Sequence, residues 1–98
     1  MRPLLHGDLS AAARALLAVP QRQRKPLCLK IIAEAELADA YVRSSGRLHP
    51  LYGNGSLMAA ARNRKPVDEP GFDDVNYCQC FELVLRQLVR FHLSQRRS

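Results

Sequence analysis

Three histidines and three cysteines are the side chains of this 98-residue sequence best equipped for metal binding or nucleophilic chemistry, so their spacing is read first. His6, His49 and His92 lie far apart, and no pair has the four-residue separation of helical zinc sites. Cys78 and Cys80 are two residues apart, which on a helix points them to different faces, about 200° apart. They can neither bridge each other nor chelate one ion without breaking that helix, and Cys28 supplies no second short-spaced pair. The thiols therefore read as small buried or half-buried side chains, with no metal and no cofactor expected. A nucleophile also needs a base or acid at hydrogen-bond distance, and the spacing identifies no such set. The expectation is a chain with no catalytic residues.

The most varied chemistry sits in Gly46-Arg47-Leu48-His49-Pro50-Leu51-Tyr52-Gly53-Asn54-Gly55-Ser56. Arg47 is a planar, permanently charged donor suited to a carboxylate or a phosphate, and His49 is a second, pH-sensitive group. Three glycines, Pro50 and Asn54 impose turns, while Leu48 and Leu51 can hold the loop against a core. Arg47, His49, Tyr52, Asn54 and Ser56 are the candidate recognition surface. The run Gly53-Asn54-Gly55-Ser56 before a helix resembles an anion cradle, but the Lys-Ser/Thr of a P-loop is missing and no strand precedes it. A tightly packed turn is the simpler reading.

A second set of candidates is basic. Arg22, Arg24 and Lys25 cluster before one long apolar segment, and Arg62, Arg64 and Lys65 follow a short one. If folding unites them, phosphate contacts are easy. The formal charge of +6 is nevertheless distributed in blocks: residues 1–30 and 43–66 each carry +5, whereas 31–42 carry −3 and 67–76 carry −4. Such alternation suits internal complementarity or a polarised surface better than a continuous basic stripe. Aromatic residues interleaved with cations, as single-strand platforms need, are absent.

The elements that position these groups all have helical period. Leu9, Ala12, Ala13, Leu16 and Leu17 form an apolar stripe that Asp8 can cap and Pro20 ends. Pro26 suits the first turn of a second helix whose face is Leu27, Ile31, Ala35, Ala38 and Val42, with Glu34, Glu36 and Asp39 elsewhere and Gly46 as terminator. Ser56 to Arg62 reads as a short helix capped by Asn54 or Ser56. A last helix starts near Asp73 or Asp74, with Tyr77, Phe81, Val84, Leu85 and Leu88 in its stripe. Residues 94–98 read as a frayed tail. The prediction is one all-α domain over 1–98, a compact bundle of three main helices plus one short helix.

His6-Gly7-Asp8, the following Leu-Ser-Ala-Ala-Ala-Arg-Ala-Leu-Leu, Gly46-Arg47-Leu48-His49-Pro50 and Gly53-Asn54-Gly55-Ser56-Leu57-Met58 together resemble a small helical family of alphaproteobacteria with no assigned activity. The resemblance covers most of the chain and directs attention to residues 46–58. It implies no substrate, cofactor or binding residue.

Arg14, Lys30 and Arg86 interrupt every apolar stretch well short of the ~18 residues that span a bilayer. The Ala-rich N-terminal run, with an acid before it and Arg14 within it, makes a poor secretory signal. A cytoplasmic, non-enzymatic protein-interaction module or small regulatory adaptor is the expected function, with an acidic protein partner preferred. The alternative is a nucleic-acid-associated regulator that binds mainly through phosphate contacts.

Overall fold

A computed structural model describes residues 1–62, 64 and 67–97. It contains α1 (His6–Leu17), α2 (Gln21–Ser45), α3 (Leu57–Arg62) and α4 (Val75–Arg97), and no strand among the described residues. This is the all-α bundle that the periodicity predicts, three longer helices and one short one.

α1 is the centre. Ala11, Ala12, Ala13, Ala15 and Leu16 are all buried, and the helix touches α2, α3 and α4. Alanine on every side lets three neighbours approach one helix, at the cost of little side-chain area per residue. Apart from Leu16, the larger core groups come from the neighbours: Ile31 and Ile32 from α2, Leu57 from α3, and Tyr77, Val84 and Leu88 from α4.

The ends of the helices follow chemistry that the sequence locates only in part. α1 begins at His6 rather than after Asp8. Asp8 acts from the third helical position, where its Oδ2 accepts the Leu5 amide at 3.0 Å and so satisfies one of the open N–H groups from inside the helix. At the other end, the Arg24 Nε donates to the carbonyls of Leu16 (3.1 Å) and Val19 (3.3 Å), a cation on the negative end of α1.

α2 also begins earlier than expected, at Gln21, so Pro26 is its sixth residue rather than part of its first turn. Gln, Arg, Gln, Arg and Lys are all good helix formers, and they outweigh the single amide that Pro26 removes from the ladder. Gly46 closes α2 in the left-handed conformation (φ 71°), its amide reaching Val42 O at 2.8 Å. The Asp74 Oδ1 caps α4 by accepting the Tyr77 amide at 3.0 Å, as its position implies. Helical turns continue to Arg97, across most of the segment read as a frayed tail.

Two burial expectations are corrected. Leu85 lies outside the core at 45% exposure, because α4 packs on α1 and α2 through Tyr77, Cys80, Val84 and Leu88. Leu48 and Leu51 do not hold the glycine loop to the core: each is 67% exposed, because the loop is closed by its own polar groups, whereas Glu34 and Asp39, off the apolar face of α2, are buried against partners remote in sequence.

Candidate functional site

The loop from Gly46 to Ser56 is closed by its own polar groups. The His49 amide donates to Gly53 O at 2.8 Å, and the Gly53 amide returns to His49 O at 3.2 Å. The His49 Nδ1 accepts the amides of Leu51 (3.0 Å) and Tyr52 (3.1 Å), so this nitrogen carries no proton and the ring serves as a turn cap. The imidazole stacks on Tyr52 with centroids 4.8 Å apart, and Tyr41 meets it edge-on at 5.1 Å. The Asn54 Oδ1 accepts the Ser56 amide at 2.9 Å, and the Ser56 Oγ accepts the Ala59 amide at 3.1 Å, capping α3. Of the five candidates on this loop, His49, Tyr52, Asn54 and Ser56 hold one another and the backbone. Arg47 alone points its charge to solvent, its amide held by the Ser45 Oγ.

The basic candidates divide in the same way. Arg22, Lys25 and Arg62 are exposed. Arg24 is spent on the end of α1, and Arg64 is paired with Glu34 through both guanidinium nitrogens, one of them at 2.7 Å from Oε2. Lys65 lies outside the described residues. Arg24 and Glu34 are ten residues apart on α2, which separates the two basic sets by about 15 Å of helix.

The carboxylates are engaged more completely than the cations. Asp8 also accepts the Met58 amide at 3.0 Å, tying the start of α1 to α3. Glu69 receives the hydroxyls of Ser10 and Tyr77, which fastens the segment before α4 to both α1 and α4. Burial, together with Glu69, raises the Tyr77 phenol above its ordinary range, while the hydrogen bond to Ser10 partly offsets this. Glu36 and Asp39 both hold the Met1 ammonium, at 2.7 and 3.0 Å, and Arg43 closes on Asp39 at 3.0 Å. Lys25, Lys30, Arg90 and Arg96 remain exposed, while Arg86 pairs with Glu82 at 3.7 Å on the surface of α4.

The Met1 cluster predicts a pH profile. Burial alone would depress the ammonium, but its hydrogen bonds to Glu36 and Asp39 outweigh that and raise it. The same bond lowers Asp39 despite its burial, helped by Arg43 and Arg2. The raised ammonium contributes stability that is complete below its unfolded value of about 8 and is lost as pH climbs through the folded value. The lowered carboxylate contributes above its unfolded value of about 4 and loses its share as pH falls through the folded one. Melting temperature should therefore decline on both sides of a plateau between about pH 5 and 8. Cys28, pushed by burial to about 12, and Cys80, pushed up likewise, add to the alkaline decline. The difference between free and Nα-acetylated chains isolates the ammonium; an acetylated chain with an identical melting curve would remove this account.

No group of three metal-ligating side chains converges among the described residues, and none of their helices is long and apolar enough to cross a membrane. Cys28 and Cys80 are buried with their thiols held protonated, and the half-buried Cys78 donates its Sγ–H to Phe72 O at 2.9 Å.

An apolar groove lies between α2 and α4, and its α2 wall is what reading the sequence misses. It encloses about 770 Å³ and is floored by Leu29, Ile32, Ala33, Leu37, Ala40 and Phe91, with Lys25 and Arg90 on its rim. Leu29 and Leu37 are 48% and 55% exposed. The signal was present, since Leu29, Ala33, Leu37 and Ala40 form a second stripe at i, i+4, i+8 and i+11 beside the core-facing one.

The fold and its surface define a small helical domain with an open apolar groove. The chain belongs to the family of a domain of unknown function, DUF7742, which matches residues 2–88. No curated protein and no solved structure matches it.

Proposed function

We propose that this chain is a non-enzymatic protein-interaction module, a small cytoplasmic adaptor, whose partner is an acidic protein. The observation that carries the reading is the unequal use of charge. Asp8, Glu34, Glu36, Asp39, Glu69 and Asp74 are consumed by backbone amides, hydroxyls or cations within the fold. Lys25, Lys30, Arg90 and Arg96 remain exposed, beside apolar surface that the domain does not cover itself. A cationic rim around apolar area accelerates encounter with an acidic surface and disfavours basic competitors.

Phosphate binding is less well supported, because Arg24 and Arg64, one from each basic set, are occupied inside the fold. Partner recovery with the full chain, with and without nuclease, separates the two readings. The expected result is an acidic protein retained equally in both samples and released by raised salt. Recovery of nucleic acid, with every protein lost after nuclease treatment, would overturn the adaptor reading in favour of phosphate contacts.

A further inference from the structure

The groove between α2 and α4 has a shape, a length and a charge that together select one kind of occupant. Its α2 wall runs from Lys25 to Ala40, about 22 Å at the helical rise, the length of four turns. Lys25, Leu29, Ala33 and Leu37 form a ridge of residues four apart, and the small Ala33 and Ala40 allow a third backbone to come close. The described residues contain no strand, so no sheet edge is on offer for an extended peptide. What fits is a helix laid along α2 and α4 with an apolar face of Leu-sized groups.

Charge then decides which helix. Arg90 and Lys25 stand on the rim, and the nearby Arg86 is already paired with Glu82. Glu36, the acid of the groove, is already bound to the Met1 ammonium at 2.7 Å. A second copy of this chain would set the same cations against one another, and its α4 carries Arg86, Arg90 and Arg96 with Glu82 as the sole acid among residues 77–96. Like charges across an interface are costly, so self-association through this groove is disfavoured. We propose that the α2–α4 groove is the docking site for an acidic amphipathic helix of a partner protein, its leucine-like face on Leu29, Leu37 and Phe91 and its carboxylates over Lys25 and Arg90. This inference rests on the adaptor reading and assigns that reading its surface.

The test uses the full chain and three labelled synthetic peptides of about 18 residues. One is a helix with leucines at i, i+3, i+4 and i+7 and glutamates on the flanks. The second has lysine for every glutamate, and the third carries a central proline. The glutamate peptide should bind at least about tenfold more tightly than either of the others. Leu37→Ser should weaken it about tenfold with the melting temperature unchanged, since this side chain is more than half exposed. Val89→Ser, on the far side of α4, should leave binding as it is. The double variant Lys25→Glu/Arg90→Glu should reverse the preference toward the lysine peptide. Equal binding of the lysine or proline peptide, no binding of the glutamate peptide, or indifference to Leu37→Ser would each overturn the inference. If the peptides fail while an acidic partner is still retained after nuclease treatment, the adaptor reading stands and only its assignment to this groove falls. Loss of that partner to nuclease removes the reading itself.

Discussion

Gly55→Ala is expected to be the most damaging single-methyl addition in this chain. A Cβ at Gly55 would lie 2.6 Å from the Asp39 Cα, 2.8 Å from its Cβ and 2.9 Å from its amide nitrogen. Two of those three atoms are backbone in the middle of α2, so no side-chain rotation relieves the overlap. The position also has φ +92°, a conformation that L side chains rarely adopt. Backbone strain of about 1 kcal/mol combines with displacement of the loop from α2, for an expected loss of about 3–5 kcal/mol in urea or thermal unfolding. Gly46 is the internal control. Its φ is +71°, but nothing lies within 4 Å of where a Cβ would stand, so Gly46→Ala carries the conformational cost alone, about 1 kcal/mol. Equal destabilisation by the two substitutions would show that the loop does not seat against α2 at Asp39.

The consequence for Asp39 links this loop to the Met1 cluster. Asp39 holds the Met1 ammonium and Arg43 while its backbone receives Gly55. The amide of Arg2 reaches Gly55 O at 3.5 Å, so the N-terminal segment, α2 and the glycine loop meet at one place. That convergence explains why the loop polar groups are used for shape. His49, Asn54 and Ser56 each satisfy amides that a tight turn would otherwise leave open.

What the sequence makes legible here is what depends on near neighbours. The apolar stripes of α1 and α2, the Gly46 terminator, the Asp74 cap and the Asn54–Ser56 start of α3 all rest on residues within a few positions of one another. The errors have the opposite character. Asp8 reads as a cap because it precedes an apolar run, whereas its two oxygens serve Leu5 and the distant Met58. Glu34 reads only as lying off the apolar face of α2 until Arg64, thirty residues on, is placed beside it. Leu85 reads as core because periodicity cannot tell which flank of an amphipathic face a neighbouring helix covers. Leu29 and Leu37 stay unassigned in the sequence for the related reason that α2 bears two apolar stripes, and only packing shows which is left open.

The second large effect is expected at the Glu34–Arg64 pair. Glu34 leaves 8% of its side chain exposed and Arg64 20%, and two guanidinium nitrogens bind the two carboxylate oxygens. Arg64 also donates to Ala60 O at 3.1 Å, so it joins the end of α3 to the middle of α2. Burial opposes the charged guanidinium, but the hydrogen bond to Glu34 exceeds that effect and raises Arg64 further above its ordinary value. Arg64→Ala strands a buried carboxylate and should cost about 3 kcal/mol, toward the lower end for truncating one partner of a buried pair because Arg64 is partly wet. Arg64→Lys keeps the charge but not the two-pronged geometry, and should recover only part of the loss. Replacing both partners, Glu34→Leu with Arg64→Leu, removes the stranded charge and should be markedly less harmful than Arg64→Ala alone. Urea denaturation of the four chains checks this order. A stable Arg64→Ala chain with weakened phosphate binding would place Arg64 in a nucleic-acid surface and reopen the alternative that its pairing with Glu34 now argues against.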